Sequence, residues 1–180
     1  MPAPTRSDRT AHAAPPTRAA AQFQLVSQWH LAAPVDAVWE ALKATERWPA
    51  WWRYVRSVQE LRPGDADGLG AVRHIEWGSR LPYGVAFDVE VTELERPRRL
   101  AGRARGQLEG VGLWELTPDR APEGETTHVR YTWCVDLTTR WMRLVAPLAA
   151  PVFRWNHNGV MRAGAEGLAR HLNARLIAAY

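Results

Sequence analysis

Between Tyr54 and Val135 the chain reads as strand after strand, each closed by turn chemistry, and that run fixes the fold class before anything else does. The breaks fall at Pro63-Gly64-Asp65 with Gly68 and Gly70, at Gly78 to Pro82, at Arg96-Pro97 and at Thr117 to Gly124, residue types that terminate or turn a strand. About six strands fit in that span. Tyr83, Val85, Phe87, Val89 and Val91 alternate with Gly84, Ala86, Asp88, Glu90 and Thr92, and Thr127 to Val135 repeats the pattern with an aromatic inner face. Period-two alternation marks a sheet with one face buried and one wet. A further strand precedes them, with Phe23, Leu25, Ser27, Trp29 and Leu31 in phase.

Two helical stretches flank the strands. After Leu31, Pro34 suits a first helical position and Asp36 a first turn, and Val35, Val38, Trp39 and Leu42 then recur at helical spacing as far as Ala44. Thr45 is placed to cap a second short helix through Trp48-Pro49-Ala50-Trp51-Trp52. Beyond Thr138 the anchors Trp141, Leu144, Leu148, Val152, Val160, Leu168 and Leu172 give a helical register almost to Tyr180, divided by Pro147 and Pro151. Strands joined by short turns pair antiparallel, so the expectation is α+β: a seven-stranded antiparallel sheet with two short helices after strand one and a long C-terminal helix, all on one face. Its 180 residues suit one domain over 22–180, behind a disordered tail over 1–21.

Composition removes several function classes. Hydrophobic residues at 46% and charged residues at 23% exclude a wholly disordered chain or a rod. The net charge of +4 rests on scattered arginines, Lys43 being the sole lysine, and no compact basic run points to nucleic acid. Cys134 is the single cysteine, so no internal disulfide forms, and a cytoplasmic location is expected. Residues 1–21 lack the apolar core of a secretory signal. Leu144 to Phe153 offers ten apolar residues where a membrane span needs about twenty. The six histidines show no paired ligand spacing, and neither a nucleophile elbow nor a phosphate loop is present. No metal and no cofactor is expected.

The informative stretch is Leu100 to Leu116, where Gly102, Ala104, Gly106, Gly110 and Gly112 fall in phase with Leu100, Leu108, Trp114 and Leu116. Glycine inside strands marks strong bending or the close approach of something else. Gly159, Ala163, Gly164 and Gly167 lie near the apolar stripe of the long helix. Two readings stand side by side. Either the small residues let helix and sheet dock tightly, or they leave an apolar pocket walled by Tyr83, Phe87, Val89, Trp114, Tyr131, Trp133 and Phe153.

The segment Leu31-Ala32-Ala33-Pro34-Val35-Asp36-Ala37-Val38-Trp39-Glu40-Ala41-Leu42, followed by Trp48-Pro49-Ala50-Trp51-Trp52, resembles the opening of the START-related helix-grip superfamily, in particular its polyketide cyclase/dehydrase and lipid-transport branch. Leu81-Pro82-Tyr83, the glycines from Gly106 to Trp114 and Phe153-Arg154-Trp155-Asn156-His157 are similar too, so the resemblance covers about 23–176. It implies a curved sheet wrapped around the long helix with a small hydrophobic molecule held between, polyketide-, lipid- or quinone-like. That superfamily hosts both carriers and cyclases, so fold alone does not choose.

Chemistry in such a pocket needs an ionisable side chain that reaches the substrate. His74 and Glu76 share one strand face and form a candidate acid-base pair, unless Arg73, Ile75 and Trp77 are the inward set. His157 is the third catalytic candidate, with Asn156 beside it as a ligand contact, and Tyr83 and Tyr131 can each donate a hydrogen bond. The segment 144–153 suits a lid, a transient membrane-surface contact or a helix start packed on the sheet.

Overall fold

The computed structural model describes residues 22–80, 84–122, 124–136 and 140–180. The N-terminal tail, Tyr83 and the side chains of 144–150 lie outside that set. The strands are β1 (Gln22–Leu31), β2 (Val55–Arg62), β3 (Val72–Trp77), β4 (Val85–Glu95), β5 (Arg99–Gly106), β6 (Glu109–Ala121), β7 (Gly124–Asp136) and β8 (Leu176–Ala179). They form one sheet in the order β2-β3-β4-β5-β6-β7-β1-β8, and each pairing is antiparallel. The six strands read between Tyr54 and Val135 are β2 to β7. The first strand closes against the last of them, from Gln22 opposite Asp136 to Leu31 opposite Thr127.

Helix α1 (Val35–Lys43) buries Val38, Trp39, Ala41 and Leu42, with Asp36 in its first turn and Lys43 in its last, where each charge complements the helix dipole. Pro34 takes the N-cap, one position before the expected one. Thr45 does not cap α2 through its side chain; it opens a 3-10 turn over Thr45–Arg47 that leads into α2 (Trp48–Trp51). Helix α3 (Arg140–His171) is the long one.

The sheet has one strand more than expected. Helix α3 ends at His171 instead of running on towards Tyr180, because Asn173 turns into the left-handed region at φ 50°, a conformation that Asn tolerates better than most residues. The freed chain extends into β8 and pairs with β1, and Gln28 and Tyr180 exchange both backbone hydrogen bonds at 2.6 and 3.0 Å. An open edge of β1 is thereby covered.

The interior has a tight end and a looser one. At the tight end Trp29, Leu31, Val38, Trp39, Leu42, Trp48, Trp51, Trp52, Ala165 and Leu168 form a single buried cluster. Here the docking reading of the helix glycines holds: a methyl group on Gly164 would strike the Trp52 indole, and one on Gly167 would strike the Trp51 carbonyl. Trp52 Nε1 also donates to the Val160 carbonyl of α3 at 2.9 Å. A second, smaller cluster of Phe87, Ala104, Trp133 and Val135 occupies the other end.

Candidate functional site

Pairing defines the inward face of the sheet. Val129 and Trp133 are buried, and the residues opposite and between them in phase are Tyr131 on β7, Trp114 and Gly112 on β6, Gly102 and Ala104 on β5, Val89 and Phe87 on β4, and Ile75 and Trp77 on β3. Towards the tight end this face is buried. Over β4 and β5 burial is uneven: Phe87, Leu100 and Ala104 are buried, while Val85, Val89, Val91 and Gly102 face inward and stay half-buried, as do Tyr131 and Leu25. Helix α3 runs close to β1, β8 and α2, and Asn156 near its middle holds the Arg80 backbone that follows β3.

Six aromatic side chains close a circuit around this region. Trp52 meets Trp77 edge-on at 5.1 Å between centroids, Trp77 stacks on Phe87 at 6.5 Å, and Phe87 on Trp133 at 6.0 Å. Trp133 stacks on Tyr131 at 6.4 Å, Tyr131 on Trp114 at 4.1 Å, and Trp114 returns to Trp52 at 6.2 Å. Such pairs reinforce one another beyond the area they bury. The strand glycines make room for the rings: a Cβ on Gly112 would lie 2.6 Å from Tyr131 Oη and 3.2 Å from the Trp133 ring, and one on Gly102 would lie 2.8 Å from Val89 Cγ1. Glycine spacing therefore makes room for the aromatic wall, with Gly102 half-accessible beside Val89.

Polar groups without partners punctuate the wall. Trp77 Nε1 is shielded from solvent and meets no hydrogen-bond acceptor. His157 stands one helical turn before Met161 on the inward stripe that continues through Ala165 and Leu168. Both ring nitrogens, Nδ1 and Nε2, are shielded and unpartnered. Burial lowers its pKa to about 4; the side chain of Asn158 opposes that shift without meeting either nitrogen in hydrogen-bond geometry. The imidazole is therefore neutral at pH 7. Burial first, and Cys134 second, raise the pKa of Tyr131, so its hydroxyl stays protonated and able to donate.

A pH dependence follows from His157. Unfolding returns the ring to its ordinary value of 6.5, so the unfolded chain takes up a proton between pH 6.5 and about pH 4 where the folded chain does not. Stability contributed by the neutral ring is full above pH 6.5 and falls as the pH drops towards 4, by about 3 kcal/mol for a shift of this size. Urea unfolding at pH 7.5 and pH 4.5 measures it, and His157→Gln should flatten that difference. An unchanged pH slope in the variant contradicts the assignment.

The other candidates take different places. His74 and Glu76 lie on the outer face, since Ile75 and Trp77 are the inward set; His74 Nδ1 pairs with Asp88 Oδ1 at 2.7 Å and Glu76 is exposed. Apolar area decided which side of β3 is buried, and this pair cannot reach the interior. Asn156 Oδ1 accepts from the Arg80 backbone N–H at 3.0 Å. It belongs to a clasp in which the Arg80 guanidinium lies 3.9 Å over the Trp155 ring and its side chain runs along Gly159. Phe153 is half-buried, while Val152 and Trp155 are each 47% exposed. The sequence reading missed Trp52 and Trp77 as wall residues, although Trp77 falls in phase with Ile75. No helix among the described residues is long and apolar enough to cross a membrane.

Comparison with known proteins agrees with this architecture. A family described as polyketide cyclase / dehydrase and lipid transport matches residues 22–173. No curated protein matches the chain. Among solved structures, the Zhui aromatase/cyclase from Streptomyces sp. R1128 superposes with a TM-score of 0.66 at 14% identity, covering 84% of this chain and 94% of that one. A START superfamily protein from Mycobacterium smegmatis gives 0.63 at 12%, covering 83% and 97%. The di-domain aromatase/cyclase BexL from the BE-7585A biosynthetic pathway gives 0.64 at 16%, covering 86% of this chain but only 51% of that one, so this chain spans about half its length. At these identities the likeness is one of fold.

Proposed function

We propose, on the premise that the chain belongs to the polyketide cyclase / dehydrase and lipid transport family, that its interior binds a small, flat, largely apolar molecule between the aromatic wall and α3. The observation that carries this reading is the closed circuit of six rings beside a half-accessible glycine floor. Stacked indole and phenyl faces suit a fused-ring or quinone-like ligand better than a flexible acyl chain, because planar faces match and little conformational entropy is lost. Tyr131 would donate to a ligand carbonyl. The unpartnered nitrogens of His157 and Trp77 would gain the hydrogen bonds they lack.

Titration with 2-naphthol and with decanoate, followed by tryptophan emission and calorimetry, tests the reading. One equivalent of naphthol should bind, decanoate should bind more weakly, and Tyr131→Phe or His157→Gln should each weaken naphthol up to about tenfold, as for one hydrogen bond. Absence of saturable binding by either probe contradicts the reading.

A second reading, a cyclase or aromatase of the kind named among the structural neighbours, is favoured by one specific feature. His157 is a neutral imidazole whose two nitrogens have no partner, so it is available to accept a proton α to a ligand carbonyl once a bound ligand's charge raises its low pKa. Its test is turnover of a poly-β-ketone mimic: His157→Gln that binds but no longer converts supports catalysis, and an unchanged rate removes it.

A further inference from the structure

The opposite face of the sheet carries a group of side chains that the interior does not use. His30 on β1 and His128 on β7 are directly paired across the strands, and their rings stack at 3.8 Å with 20° between planes. Asp119 on β6 joins them, with Oδ2 3.5 Å from His128 Nε2. One nitrogen from each histidine and one oxygen of the aspartate all lie within 4.8 Å of one another. Three separate strands thus bring two imidazoles and a carboxylate within reach of one another, and the stacked rings need only rotate about their side-chain bonds to aim both nitrogens at one ion.

The surroundings add two independent features. His30 Nε2 is shielded and has no hydrogen-bond partner, and the same holds for the hydroxyl of Thr126, which pairs with Asp119 and is in phase with His128 on the same face. A buried polar atom with nothing to bond is rare in a finished structure and points to something that completes it. Asp119 is also oriented: its Oδ1 accepts from the Arg120 backbone N–H at 2.7 Å, which leaves Oδ2 for the histidines, the kind of outer hydrogen bond that fixes a ligand's direction. Thr126 also lines a shallow depression of about 270 Å³, together with Ala32, Pro34, Gly124 and Glu125.

We propose that His30, His128 and Asp119 bind a divalent transition cation of the zinc class, clipping β1 and β6 to β7 from outside. Two imidazoles and one carboxylate suit Zn(II), Co(II) or Ni(II) rather than Mg(II) or Ca(II), which take oxygen ligands. Solvent water would fill the remaining coordination position, since His128 and Asp119 are exposed. Arg175 bears a positive charge that acts on His30 and works against the cation, while Asp119 acts on His30 in the opposite sense. The sequence hid this site because its members are distant in the chain and only the strand register unites them.

The test uses the full chain, freed of metal by chelation and titrated with Zn(II) by calorimetry, with Co(II) absorption as a second readout. Wild type should bind one equivalent that His128→Gln weakens about 100-fold or more and Asp119→Asn about tenfold, since outer-shell changes alone already cost 10–100-fold. Both substituted residues are exposed, so circular dichroism should match wild type. His30→Gln, at the half-buried member, gives a third check. Co(II) should show ligand-field bands in wild type that the variants lose. Zn(II) binding that is absent, or that all three variants retain at wild-type strength because other histidines hold it, overturns the proposal.

Discussion

Trp52→Ala is expected to lower the stability of the folded chain by about 4 kcal/mol, the usual range for truncating a buried tryptophan. The indole is 1% exposed and touches five other tryptophan rings, at Trp29, Trp48, Trp51, Trp77 and Trp114. It fills the space over Gly164 and ties α3 to the sheet through the Val160 carbonyl. Removing it opens a cavity where α3, α2 and the sheet meet. For a domain of this size each kcal/mol moves the melting midpoint by about 2–4 °C, so a drop of roughly 8–16 °C is expected. Trp155→Ala, at an exposed ring, should move it little. Equal effects from the two variants would contradict this description of the core.

Gly102→Leu carries the second large effect, on binding rather than on folding. Gly102 faces inward on β5, is half-accessible, and would place a Cβ against a single side-chain atom, Val89 Cγ1 at 2.8 Å, with the Glu90 carbonyl next at 3.4 Å. At 2.8 Å the added Cβ makes the Val89 side chain shift to another position, and strand geometry accepts leucine better than glycine. The added isobutyl group then occupies the floor that a ligand would use. Naphthol binding should fall by at least about 100-fold, equivalent to losing two or more kcal/mol, while the thermal midpoint stays within a few degrees. Retained binding would place the ligand elsewhere.

The fold was legible to the extent that single elements announce themselves. Alternation at Tyr83 to Thr92 and Thr127 to Val135 gave strands β4 and β7, and the spacing of Val35, Val38, Trp39 and Leu42 gave α1. Strand β8 was not legible, because Leu176 to Ala179 extends only where the edge of β1 is available to pair with it. Alternation along β3 showed two faces but could not say which was buried; the apolar area of Ile75 and Trp77 against the core settled that and turned His74 outward.

Glycines were half-legible in the same sense. Sequence showed where side chains are missing, but what occupies the space is a tertiary matter. Over Gly164 and Gly167 it is Trp52 and the Trp51 backbone, so the close-docking reading holds there. Over Gly112 it is Tyr131 and Trp133, while Gly102 keeps access. The close-docking reading thus describes the helix end of the interior, and the pocket reading remains the proposal made for the other end. His157 was found as a helix residue with the right polarity, yet its isolation from any partner depends on packing that no local pattern encodes.

A crystal of the protein soaked with 2-naphthol tests the hollow interior most directly. The account predicts difference density for the probe stacked inside the circuit of Trp77, Phe87, Trp133, Tyr131 and Trp114, above Gly102, with its hydroxyl towards His157 or Tyr131. Side chains of α3 meshed against β4 and β5 at crystal-like density, with the probe absent at saturating concentration, would contradict it.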